Sequence, residues 1–319
     1  MMAQWNTCKQ LAGEAILLFR MGDFYEAFYE DANILAKELE LTLTKRQGIP
    51  MSGVPQHTCQ TYVDKLVAKG FRVALAEQTE DPKKTKGLVK REVTRIVTPG
   101  TLVNSALLPE KGNNFFACIE QVGKSYGLAF IDISTSTFKT LEVYEEKDLV
   151  NELHRLSPKE LLSSEKFFNN HPRLCQHLKE SLNLPFHKTD NWRFDTQESY
   201  HTLTGHFNVI SLDGFGLKEQ TSSIHAAGAL LSYLKDELLI DITPLTQLNT
   251  YSTKEYMSLD FTTLRNLELT ESIREKNKKN TLLEVLDHTL TGMGGRLLTE
   301  WVCHPLLDIQ KIKARQEGI

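Results

Sequence analysis

Within the first hundred residues, short apolar runs alternate with stretches of helical spacing, and most changes of period are marked by Gly or Pro. "AILLFRMG" (15–22) predicts a buried strand, and 23–40 places its apolar residues at helical spacing. "LTLTKR" (41–46) alternates as a strand does, whereas "QGIPMSGVPQH" (47–57) predicts an ordered loop or turn. "TYVDKLVAK" predicts a helix stopped by Gly70, "FRVALAEQ" a strand, and "VKREVTRIVT" another strand ended by Pro99-Gly100. A chain that changes period this often builds a small mixed α/β domain, here spanning 1–105.

A second block, 112–243, opens with three strand patterns joined by short turns, "NFFACIEQ", "SYGLAFIDIS" and "TFKTLEV", followed by helices near 146–156 and 222–238. That order predicts an α/β domain with a partly antiparallel sheet. From 244 to 319 the pattern turns helical, in "SLDFTTLRNLEL", "TLLEVLDHTL", "GGRLLTEWV" and a last segment for which Asp308 is the expected N-cap. Short amphipathic helices do not bury their apolar faces alone, so the expectation is the front part of a longer protein.

No apolar run approaches the roughly 18 residues that span a bilayer, and "MMAQWNTCKQ" lacks the order of a signal peptide, so a cytoplasmic location is expected. The five cysteines are scattered and never form C-x-x-C, which suits a reducing compartment. His171, Cys175 and His177 match no standard zinc spacing.

Net charge is -4, yet residues 1–100 carry 14 Lys and Arg against 12 Asp and Glu. Lys83, Lys84, Lys86, Lys90, Arg91 and Arg95 cluster with Glu92 as the one acid among them, either a solvated loop and strand or a patch facing a polyanion.

Two motifs mimic catalytic sites. "VGKS" (122–125) ends like a phosphate-binding loop, but Cys118 stands where the pattern needs glycine and the segment lies between two strands, which predicts a hairpin turn. Asp132 in "FIDIS" is where a metal-dependent nuclease could keep a carboxylate; no further acid at a recognisable spacing joins it, and a structural Asp is the competing reading.

The stretch "MGDFYEAFYEDA" (21–32) repeats Phe-Tyr-Glu after four residues, close to one helical turn. Gly22-Asp23 reads as a helix start, with Asp23 capping and Glu26 completing an acidic capping box. On that reading Phe28, Ala32, Leu35 and Leu39 form a core stripe. Phe24 sits at its exposed end, either as a terminal core residue or free for another role.

"RMGDFYEAFYEDA", "LTLTKRQGIPMSGVPQHTCQTYVDKLVAKGFRVALAEQ" and "REVTRIVTPGTL" resemble the mismatch-recognition domain of the MutS family of DNA mismatch repair proteins. "LAFIDISTSTF" resembles the family's connector domain, and "LDFTTLRNLELTES" with "NTLLEVLDHTLTGMGGRLLTEWVCHPL" the start of its helical core or lever domain. The resemblance covers essentially the whole chain. It implies a small α/β mismatch-binding domain, a ribonuclease-H-like connector without catalytic acids, and the beginning of an all-helical domain.

The resemblance further implies that Phe24 enters the minor groove of double-stranded DNA at a mispair or small loop while Glu26 hydrogen-bonds to the mispaired base. Met21, Lys45, Arg46, Met51, Ser52 and His57 are weaker candidates for DNA contact. A paralogue serving meiotic crossover would lack the Phe-x-Glu pair. For the whole protein the family implies ATP hydrolysis with Mg, homodimerisation, a MutL-type partner on the connector and, in a bacterium, association with the nucleoid. For these 319 residues it implies neither a cofactor nor a catalytic residue.

Overall fold

The computed structural model describes residues 1–80, 87, 89–104, 108–275 and 277–318. They fall into two compact units, Met1–Leu107 with Ser232–Thr243, and Leu108–Leu231 with Pro244–Ile319. Among the described residues no helix is long and apolar enough to cross a membrane.

The first unit runs α1 (Met2–Ala12), β1 (Ile16–Met21), β2 (Phe24–Phe28), α2 (Tyr29–Leu39), β3 (Thr44–Arg46), β4 (Ile49–Pro55), α3 (Cys59–Ala68), β5 (Val73–Gln78) and β6 (Arg91–Val97). Its sheet has the order β3-β4-β2-β1-β5-β6, with β1 and β5 parallel and the other neighbours antiparallel. The apolar run Ile16–Phe19 is buried throughout, as a central strand covered on both sides requires. Asp31 of α2, itself buried, accepts hydrogen bonds from Lys9 Nζ (2.9 Å) and the Leu17 N–H (3.0 Å), tying α1 and α2 to β1.

The helix expected over 23–40 begins instead as a strand of five residues. Gly22, at φ 60, and Asp23 form a two-residue turn of the kind that has Gly first, folding β2 back on β1 with Met21 opposite Phe24. Phe24 to Phe28 are mostly aromatic and suit a pleated surface, and pairing on both edges outweighs the four-residue periodicity. Asp23 therefore caps nothing. The helix begins at Tyr29, whose φ of 54 turns the chain out of the strand, a left-handed conformation costing about 1–2 kcal/mol for such a residue. Tyr29 is held there against Trp5, at a ring separation of 5.1 Å.

The strand expected over 41–46 shrinks to β3, and the loop expected over 47–57 is largely β4. Gln47 (φ 50) and Gly48 (φ 82) make a second two-residue turn between them, which requires two consecutive positive φ values.

The second unit contains β7 (Phe116–Val122), β8 (Ser125–Asp132), β9 (Thr137–Val143), α4 (Glu146–Leu156), β10 (Glu160–Ser164), α5 (Glu165–Asn170), α6 (Pro172–Leu182), β11 (Phe186–Thr189), α7 (Thr196–Phe207), α8 (Thr221–Ser232) and a short β12 (Asn249–Thr250). The sheet order is β11-β10-β7-β8-β9-β12. β7 to β9 form the expected antiparallel meander, and β10 and β11 add in parallel, as a ribonuclease-H-like sheet does. At Gly127 a Cβ would meet the Ser222 carbonyl oxygen, so α8 rests directly on the β8 backbone and only glycine fits. "VGKS" is the hairpin turn between β7 and β8, with Gly123 at φ 60.

Helices α9 (Phe261–Asn266), α10 (Leu282–Leu286), α11 (Gly292–Cys303) and α12 (Ile309–Glu317) follow. Asp260, Thr281, Thr291 and Asp308 cap them, each side chain accepting from a first-turn N–H. Val285, Leu290 and Met293 are exposed.

Asp132 ends β8 fully buried. One carboxylate oxygen accepts from the Asn114 N–H (3.0 Å) and Asn113 Nδ2 (3.1 Å), the other from the Ser134 N–H (3.0 Å) and hydroxyl (2.6 Å). The carboxylate is consumed in closing the turn, and no group of three His, Cys, Asp or Glu among the described residues could hold a metal, so nothing supports the nuclease alternative. Asp132→Ala strands two backbone donors, and thermal or denaturant unfolding should report a loss of roughly 2–4 kcal/mol. Unchanged stability would contradict this role.

Candidate nucleic-acid interface

Alternation along the strands assigns faces. Partners in an antiparallel register share a face, so Phe24, Glu26 and Phe28 lie with Met21, Met51, Gly53 and Arg46, while Tyr25, Ala27, Ser52, Val54 and Lys45 lie on the other. Tyr25, Ala27 and Val54 are buried on that second face. α1 covers part of the first: Trp5 meets Phe28 edge-on at 6.0 Å, and Arg91 lies 5.3 Å from the Phe19 ring.

Beyond that cover, the described residues of the first face range from half-buried to exposed. Phe24 is 47% exposed, whereas Phe28, four residues on and on the same face, is 1% exposed under Trp5. The doubled triplet thus splits: Phe24 of the first copy is displayed on β2, whereas Phe28 of the second closes the core and Tyr29 begins α2. Glu30 of the second copy sits in the first helical turn and accepts from Asn33 Nδ2 at 3.1 Å.

Glu26 stands opposite Gly53, where a Cβ would lie 2.9 Å from the Tyr25 carbonyl oxygen and 3.3 Å from Glu26 Cγ. The missing side chain is what lets Glu26 lie along the sheet. Among the described residues its Oε2 is buried without a hydrogen-bond donor, and the nearest cation, Arg46, approaches only to 3.8 Å. Burial pushes the Glu26 carboxyl above the usual range, and Arg46 offsets part of that rise.

Met21, Phe24, Glu26, Arg46 and Met51 are therefore brought together. Arg46 Nη1 also lies 3.9 Å from Met21 Sδ. Lys45 is exposed but on the opposite face, and His57 is exposed in the 3₁₀ turn 56–58. Ser52 is 2% exposed and faces the interior opposite Ala27, so its hydroxyl is not offered to a ligand. Gly53 carries no signal in the sequence, because its importance depends on cross-strand register.

The basic run contributes less than its charge suggests. Arg91 donates to the carbonyls of Arg20 (2.6 Å) and Val89 (2.8 Å), and Lys90 pairs with Glu92 at 2.6 Å. Arg95 is partly buried, which lowers its pKa. Lys83, Lys84 and Lys86 lie outside the described residues.

Fold and site together define a modular α/β chain whose first sheet displays an exposed phenylalanine beside a half-buried carboxyl group on one face. Three family models match in chain order: MutS domain I over residues 1–106, MutS domain II over 114–246 and MutS domain III over 262–319. The chain is 54% identical over 319 residues to the DNA mismatch repair protein MutS of Protochlamydia amoebophila, 46% over 322 residues to that of Chlamydia abortus and 41% over 325 residues to that of Lachnoclostridium phytofermentans. All of this chain is matched each time, and it spans 37%, 39% and 35% of those proteins' lengths. The chain belongs to the MutS family.

Two substitutions test the site's construction. Gly53→Ala should destabilise the first unit by about 1–3 kcal/mol, because its methyl meets backbone. A carboxyl whose folded pKa is raised contributes stability in acid and loses it as pH rises through that pKa. Glu26→Gln should therefore raise the melting temperature near neutral pH, with the gain fading in acid. A neutral-pH loss on Glu26→Gln would contradict the electrostatic assignment.

Proposed function

We propose that the first unit recognises mispaired or unpaired bases in double-stranded DNA at the start of mismatch repair, with Phe24 inserted from the minor groove and Glu26 bonding to the displaced base. The observation that carries this reading is the pair itself, an exposed aromatic and a poorly solvated carboxyl two residues apart on one open strand face. Two residues of strand separate their side chains by about 7 Å, within reach of one base and its edge.

Insertion at a fully paired step costs a few kcal/mol of unstacking. A mispair is already weakly stacked and easily kinked, so the same wedge costs less there. Preference then arises from deformability, which suits recognition of many different mispairs. Lys45 and His57 supply phosphate contacts that strengthen binding without reading sequence, and Arg46 adds one when the face closes on a mispair. Met21 stands opposite Phe24 on the same face, and Met51 lies further along it, opposite Phe28.

The wider assignments rest on family membership. We assign mismatch recognition to 1–105, a connector that receives a MutL-type partner to 112–243, and the start of the helical core to 244–319, in a protein that works as a homodimer in the cytoplasm. We assign ATP hydrolysis with Mg to the part of the relatives' length that this chain does not span; the Gly123-Lys124-Ser125 triplet is a hairpin turn followed by a strand, and no step of the recognition proposed for this chain passes through nucleotide.

In duplex-binding titrations of the whole protein, Phe24→Ala should reduce the preference for mispaired over matched DNA by about tenfold or more, equivalent to roughly 1.4 kcal/mol. Phe28→Ala should instead cost about 3–5 kcal/mol of stability as a core truncation. Retained preference in Phe24→Ala would overturn the reading.

A further inference from the structure

We propose that Arg46 is the positioning residue for Glu26, a counter-ion that holds this carboxyl ionised on the open face and gives it up to a DNA phosphate when the face closes on a mispair. This role rests on the recognition proposed above and adds a second residue that controls it.

The geometry suits exchange rather than a permanent bond. At 3.8 Å the Arg46 Nη1 to Glu26 Oε2 contact is an ion pair without a hydrogen bond. The Arg46 side chain is 47% exposed while that of Glu26 is 17% exposed, so solvent or a phosphate can take the guanidinium without uncovering the carboxyl. Arg46 also ends β3, the edge strand of the sheet, immediately before the Gln47-Gly48 turn.

Among the described residues Arg46 is the one cation that acts on Glu26. Arg20 of β1 projects to the opposite face, where it lies over Tyr25 and 3.7 Å from Glu77. Arg91 of β6 shares the face of Glu26, over Phe19, but its guanidinium is held by the carbonyls of Arg20 and Val89. Lys45 is on the opposite face, Lys9 of α1 is bound to Asp31, Asp23 occupies the β1–β2 turn and His57 lies beyond β4. Loss of Arg46 to phosphate therefore leaves Glu26 with burial alone, which favours its neutral form. Glu26 then takes one proton from solvent and becomes a donor to a base acceptor, where a carboxylate could only accept. On matched DNA, where Phe24 does not enter, the ionised pair stays and opposes close approach.

The test is the pH profile of mismatch affinity in the whole protein, with matched duplex as control. The unsubstituted protein should bind the mispair more tightly as pH falls, levelling off in acid. In Arg46→Gln the free carboxyl protonates more readily, so the acidic plateau should be reached at higher pH and the total gain across the profile should shrink. Arg46→Lys should restore the original profile. In the Glu26→Gln background the profile should be flat, with Arg46→Gln adding only a pH-independent weakening shared by both duplexes. The proposal is overturned if Arg46→Gln leaves the profile in place, or if its shift persists in the Glu26→Gln background. A failure of the underlying recognition role reads differently, as undiminished mismatch preference in Phe24→Ala.

Discussion

The pairing of β2 between β1 and β4 is the constraint on which the site depends. Side chains alternate along a strand, so a slip of one residue would bury Phe24 and Glu26 and expose Tyr25 and Ala27. Two tight turns, Gly22-Asp23 and Gln47-Gly48, set the register from either side, and each uses positive φ at a glycine. With that register, Glu26 meets Gly53, the single position on β4 where the absence of a side chain leaves room for it. Trp5 packs on Phe28, and Phe24 at the other end of the strand stays 47% exposed.

Glu26 is placed against its own interest. A carboxylate oxygen without a donor, partly offset by a cation at 3.8 Å, is a local loss of stability that the fold tolerates. Tyr29 adds strain at the end of the same strand, where Ala27 and Phe28 lead into its left-handed turn. Such costs gathered around one exposed aromatic are what a surface kept for binding looks like, whereas Asp31 and Asp132, carboxylates that are more deeply buried, are supplied with donors on both oxygens.

Much of the architecture was legible in the residues. The three strands of the second block, the helix halted before Gly70, the hairpin at "VGKS" and the Asp308 cap stand where local patterns put them, because each is decided by neighbours in sequence. β2 was not, since four-residue repetition and an Asp after Gly imitate a helix start, and pairing partners lying up to about thirty residues away decide otherwise. The same cause hid Gly53 and the interior position of Ser52: both follow from which strand lies opposite. Phe24 and Glu26 were nominated through their resemblance to the family motif, and their common placement on one strand face, rather than at a helix end, came from the structure alone.

The most direct measurement places a photo-crosslinking amino acid, p-benzoylphenylalanine, at position 24 of the whole protein and maps the attached nucleotide on duplexes with and without one mispair. Position 45, on the opposite face, serves as control. Crosslinks from position 24 should concentrate at the mispaired nucleotides and be lost on matched DNA, with diffuse, mismatch-independent backbone crosslinks from position 45. Equal crosslinking of both duplexes from position 24, or mispair-specific crosslinks from position 45, would contradict insertion of Phe24 at the mispair.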